Sequence, residues 1–249
     1  MENRFKIDSF EKLTKAANFY LEESFKYVND ILTEDLKKLV IIEQLKDVKF
    51  NDEDKKLIEE ANIPVGSIDF LRSEKRIIHF LTVETLNKIL NAHEVNIKLQ
   101  SERKKIPKSH IIENIQILGH IVNLALFIEV LTNRHLLFLN HTGNIDNFIY
   151  NQLSEGKILN IIIFICRPEI EANSIKLDYI KHLFSYRNKA VHHTPKNSKE
   201  LSVKVSDLIK ILNQVIKLIE LYEKREKFSE YKFSRKVIFE KEHFMDKWF

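Results

Sequence analysis

The chain has 249 residues, 44% of them apolar and 31% charged, with a formal net charge of +4. That balance fits a globular protein with a sizeable core and excludes a disordered one. Four glycines and four prolines are too few for the many tight turns of an all-β sandwich or barrel, so the expected class is all-α.

A first helix is expected from Asp8 or Ser9 to about Leu32, because Phe10, Leu13, Ala17, Tyr20, Leu21, Val28 and Ile31 follow a 3.6-residue period. Thr33 can cap a second helix through Glu43, and Asn51-Asp52 opens a short third one to Ala61. Pro64 and Gly66 break the chain, and a further helical stretch follows from about Ser67 to Glu94, weakened at Thr82-Val83. The polar segment Lys98 to Lys108 sets five cations against Glu102 and closes on Pro107. It marks the expected boundary between an N-terminal helical region, residues 1–105, and a second helical domain, residues 106–226. Its charge also suits phosphate contact.

The second domain opens with a long helix after Ser109. Ile111, Ile115, Leu118, Val122, Ala125 and Leu136 form its stripe, and Ile112, Leu124, Phe127, Ile128 and Leu131 widen it nearly all round. Such a helix belongs at the centre of a core. A turn over Asn140 to Asn144 pivots on Gly143. Helices are then expected over Ile145 to Leu153, Lys157 to Arg167, Ser174 to about Val191 and Lys199 to Glu226. The tail, residues 227–249, mixes charge with aromatics and indicates no definite element.

Cys166 is the lone cysteine, which excludes an internal disulfide and a Cys-based zinc site of the usual kind. Placed in the apolar run Ile158 to Cys166, it reads as a core residue, compatible with a reducing cytoplasm. The first residues hold no apolar signal segment. The apolar runs Ile121 to Leu131 and Ile158 to Cys166 are both short of the ~20 residues a membrane span needs, so no membrane partner is expected. Phosphate-binding glycine loops and zinc-protease motifs are lacking. Any chemistry is therefore expected from polar side chains on helices, with neither metal nor cofactor.

One constellation stands out. Ile180, Leu183, Phe184 and Val191 share a helix face, and the remaining place on it is Arg187. A guanidinium there needs a carboxylate or an incoming anion. From Lys181 to Lys204 six cations face a single acid, Glu200, a surplus larger than that of the whole chain. Arg187 and His192 are five apart, about 7.5 Å of rise and 140° of rotation on an ideal helix. They converge only if the helix ends near Val191, which Pro195 favours, or if a second subunit completes the site.

The run Tyr186-Arg187-Asn188-Lys189-Ala190-Val191-His192-His193 resembles the signature of the HEPN superfamily of nucleotide-binding and ribonuclease domains: Arg, a polar residue, a few spacers, then His. The preceding stretch Lys176 to Ser185 is similar to the amphipathic helix that carries the motif there, and Phe127 to Asn133 to the family's acid-bearing helix. The resemblance covers roughly Ser109 to Glu226. It implies a HEPN-type helical bundle and a metal-independent endoribonuclease working as a homodimer, with a toxin or phage-defence role and an antitoxin or defence-system protein as possible partner. Arg187, His192, Asn188, Glu129 and His193 would form the catalytic group; Lys189, Lys181 and Lys196 would attract RNA. Thr194 stands where some toxins of the family carry a modifiable tyrosine, so control by that modification is not expected. Two other functions compete: a non-catalytic HEPN-like nucleotide- or RNA-binding module that regulates a partner, and a plain helical interaction protein. A sealed Arg187–Glu129 pair would favour the last.

Overall fold

The structure is a computed structural model. It describes residues 2–26, 28–45, 48–61, 81–93, 105–112, 117–191, 203–227 and 232–248. The described chain is all-α apart from two strands of two residues each.

It divides into two compact units, Met1–Asn29 with Pro107–Phe249, and Asp30–Ile106. This differs from a simple cut at 105/106. The first helix belongs with the C-terminal part of the chain, and so does the tail.

The smaller unit contains most of α2 (Val28–Gln44), together with α3 (Asp52–Glu60) and α4 (Val83–Ala92). Its core is Ile41, Ile42, Leu45, Ile58, Leu81, Leu86, Ile89 and Leu90. The expected Asn51 cap is present as a full capping box: the Asn51 side chain accepts from the Asp54 amide, and Asp54 accepts from the Asn51 amide. Two otherwise unpaired helix-end donors are satisfied this way. Thr82, expected to weaken a helix, instead begins one, its hydroxyl accepting from the Thr85 amide at 3.2 Å. Asp54 is buried, and its Oδ2 lies 2.7 Å from His93 Nε2, which ties α3 to the end of α4. The expected stretch from Ser67 to residue 80 lies outside the described residues.

In the larger unit, α1 (Glu2–Lys26) begins earlier than the sequence pattern indicates and stops before Val28. The period of Val28 and Ile31 continues across the break, and both residues are buried. Thr33, expected to cap a second helix, lies inside α2, so apolar spacing did not mark where the first helix ends.

The centre of this unit is α5 (Ile117–His141), against which α1 packs along its length. By length and composition α5 could cross a membrane, contrary to the expectation from shorter apolar runs; here 61% of its most apolar window is buried inside the fold. Around it stand α6 (Asn147–Ser154), α7 (Ile158–Glu171), α8 (Leu177–Val191), α9 (Val205–Glu226) and α10 (Phe233–Trp248). Gly143, at φ 74°, makes the left-handed turn after α5. The Asp146 side chain caps α6 by accepting from the Ile149 amide.

Helix α7 runs past the expected stop at Arg167. Pro168 offers no N–H to the preceding turn, and Cys166 departs from helical torsion (φ −108°, ψ 17°). Nearby, Arg225 Nη1 donates to the Ile165 carbonyl at 2.8 Å, so this carbonyl at the kink has a partner. Cys166 is fully buried, and burial pushes its thiol up to about 12, which leaves it protonated and unreactive.

Strands β1 (Ile111–Ile112) and β2 (Val203–Lys204) pair antiparallel. They replace the helical starts expected after Ser109 and at Lys199. Just beyond, the first amides of α9 donate backwards: Val205 to the His110 carbonyl and Ser206 to the Lys108 carbonyl, each at 3.0 Å. The Lys108–His110 turn thus serves as the cap that α9 lacks.

The tail forms α10, packed on α9 and α1 through Phe233, Val237, Phe244 and Trp248. Phe233 meets Phe127 of α5 with ring centroids 5.7 Å apart.

Candidate functional site

Helix α8 packs on both α5 and α9, and its Ile180, Leu183 and Phe184 are buried. One turn further, at the next place on that face, Arg187 reaches α5. Its Nη2 lies 3.8 Å from Glu129 Oε2, with 33% and 37% of the two side chains open to solvent. The expected pairing of these residues is therefore present in space, and it is not sealed. Arg187 Nη1 also donates to Asn188 Oδ1 at 3.1 Å. The guanidinium is held on two sides and still meets water.

The apolar face does not stay covered beyond this point. Val191, grouped by spacing with the buried residues, is 57% exposed. The burial stripe of α8 ends at the motif.

Beside it, Tyr186 is half-buried. Burial pushes its hydroxyl up, Asp207 reinforces that, and Lys189 works the other way. Lys181 is exposed and pairs with Asp178 at 3.3 Å along its own helix. His192, His193, Thr194 and Lys196 lie outside the described residues. Among the described residues, no three His, Cys, Asp or Glu side chains come together in a way that could hold a metal ion.

A second polar centre was not singled out from the sequence. Arg134 and His135, on α5, both point at Glu226, the last residue of α9. Arg134 Nη2 pairs with Glu226 Oε2, and His135 Nδ1 donates to Glu226 Oε1 at 2.9 Å. Arg134 Nη1 donates to Thr14 of α1 at 3.3 Å, and its guanidinium lies 4.7 Å from the Phe10 ring and 5.1 Å from Phe233. His135 stacks on Tyr222, centroids 4.3 Å apart, and the Tyr222 hydroxyl shares a 3.2 Å hydrogen bond with Thr132.

All of these α5 and α9 side chains are buried. Burial lowers the pKa of both Arg134 and His135, with Glu226 opposing the shift. The arrangement joins four helices, and its charged groups are closed off from solvent. The available signal was the Arg134-His135 pair inside an otherwise apolar helix; its partner lies more than ninety residues away.

The chain matches no family model, no curated protein and no solved structure.

Proposed function

We propose that the chain is a HEPN-type, metal-independent endoribonuclease, acting as a homodimer in the cytoplasm as a toxin or phage-defence effector. One observation carries the reading. Arg187 and Glu129 meet between α8 and α5 with about a third of each side chain open to solvent, four residues before the end of the helix that leads into His192. A sealed ion pair would keep a ligand from the guanidinium; an open one leaves it able to donate to a phosphate.

The chemistry needs little more. The RNA supplies its own nucleophile, the 2′-hydroxyl. One imidazole takes its proton as the oxygen attacks phosphorus. The bond from phosphorus to the 5′-oxygen breaks, and a second imidazole protonates that oxygen. The products are a 2′,3′-cyclic phosphate and a 5′-hydroxyl. An ordinary histidine pKa near 6.5 suits both tasks. Two copies of the chain supply the two His192 side chains, with His193 as a reserve base. Arg187 neutralises the charge that builds on the phosphoryl oxygens. Glu129 and Asn188 hold Arg187 in place, and Lys189, Lys181 and Lys196 draw the strand in.

The test is cleavage of a single-stranded RNA in EDTA. Wild-type protein should nick it, and Arg187→Ala or His192→Ala should each reduce the rate about a hundredfold or more. Undiminished cleavage by both variants removes the assigned site. RNA binding without cleavage by the wild type favours the non-catalytic module.

A further inference from the structure

A groove of about 590 Å³ lies between the start of α8, the middle of α9 and the middle of α10, within the unit that carries Arg187. Buried Gln214 and Ile216 contribute to its base, with Tyr179 beside them. Four lysines line it, Lys176, Lys210, Lys217 and Lys241, against the acids Glu220 and Glu242. An apolar and amide base, an aromatic ring and a surplus of ammonium groups suit a ligand with flat rings joined by phosphates.

We propose that this groove grips single-stranded RNA away from the bond that is cut. Tyr179 stacks a base, and Lys210 and Lys217 contact phosphates. RNA as the occupant rests on the ribonuclease reading above.

The geometry of α8 links groove and motif. Tyr179 and Tyr186 are seven residues apart and share a helix face. That face looks toward α9: Lys210 stands 6.0 Å from the Tyr179 ring centroid, and Asp207 influences Tyr186. Arg187 looks to Glu129 on α5, from an adjoining face about 80° round the helix from Tyr179. Tyr179 and Arg187 are eight residues apart, about 12 Å along the helix axis. One strand can cross α8 and occupy both faces.

The lysines are held without being buried. Lys210 pairs with Asp207 at 3.5 Å with half its side chain exposed, a contact weak enough for a phosphate to replace. Lys217 Nζ donates to the Ser174 carbonyl at 3.1 Å in an exposed position, which keeps the ammonium at the rim.

The experiment titrates the full chain into a fluorescein-labelled 2′-O-methyl single-stranded oligonucleotide, which has no free 2′-hydroxyl and cannot be cut by this chemistry. Tyr179→Ala should weaken binding about tenfold, and Tyr179→Phe should retain it. The double variant Lys210→Ala/Lys217→Ala should make the dependence of log affinity on log salt shallower by about 1.4, the loss of two phosphate contacts. Those lysines are exposed, so the pair decides the matter even if Tyr179→Ala fails to fold. Wild-type affinity and salt slope in the lysine variant overturn the proposal, as does equal displacement of the oligonucleotide by polyglutamate. Cleavage of ordinary RNA in EDTA is read separately. Groove-dependent binding without cleavage sinks the nuclease reading alone; cleavage with groove-independent binding sinks only the groove.

Discussion

Removing the Glu226 carboxylate strands Arg134 in a buried site and takes the acceptor from His135. Glu226→Ala is expected to cost roughly 3–5 kcal/mol, measured by urea unfolding. The Arg187–Glu129 pair has the opposite character. It is long, at 3.8 Å, and open to water, so Glu129→Gln should change stability by less than about 1 kcal/mol. If the proposed reaction holds, its effect should fall on kcat, with KM held or lowered, because a carboxylate beside a phosphate would repel the substrate while orienting the arginine. A large stability loss with kcat unchanged would make Glu129 merely structural. His120 provides a pH readout. Its Nδ1 donates to the Ser24 carbonyl, and burial holds its pKa down to about 4. The unfolded chain takes up this proton below about 6.5, whereas the folded chain resists until about 4. The buried neutral ring therefore leaves stability unaffected above about 6.5, and stability falls by about 1.4 kcal/mol per pH unit from there down to about 4. His120→Asn should flatten that part of the pH–stability curve; an unchanged slope would contradict the assignment. The Arg187–Glu129 relation was legible because Arg187 interrupts an apolar stripe and the resemblance of Phe127 to Asn133 supplied Glu129 as its acid. Arg134, His135 and Glu226 were not, because nothing local in the sequence pairs α5 with the far end of α9.

Local chemistry also decided which elements could be foreseen. Asn51 was legible as a helix start from its local sequence, and the structure completes it as a capping box with Asp54 three residues on. Asn51→Ala should cost about 1 kcal/mol, visible as a lower melting temperature of the smaller unit. Gly143 was legible as a pivot for the same reason. The elements that escaped depend on distant partners. β1 and β2 are two residues each and exist through each other, Ile111 opposite Lys204 and Ile112 opposite Val203. The kink in α7 combines local Pro168 with Arg225 sixty residues on. In α10, the apolar face of Phe233, Val237, Phe244 and Trp248 is visible once sought, but the charged residues between them obscure it.

At the scale of the whole molecule, the N-terminal helix completes the larger core. α1 lies along α5, and Thr14 and Phe10 reach Arg134. Removing residues 1–26 should therefore destroy the larger unit itself, seen as loss of its cooperative melting transition. A cut at 105/106 would likewise separate α1 from α5, against which it packs. Helix content and the central place of α5 followed from composition and apolar pattern, but chain order alone could not say that the two ends of the sequence meet. The functional account comes down to a reaction in which RNA attacks itself while Arg187 steadies the phosphate. The most direct measurement is the chemistry of the cut ends after digestion in EDTA. The proposed reaction predicts 2′,3′-cyclic phosphate and 5′-hydroxyl termini from the wild type, formed about a hundredfold or more slowly by Arg187→Ala or His192→Ala; 3′-hydroxyl termini, or undiminished formation of the same products by both variants, would contradict it.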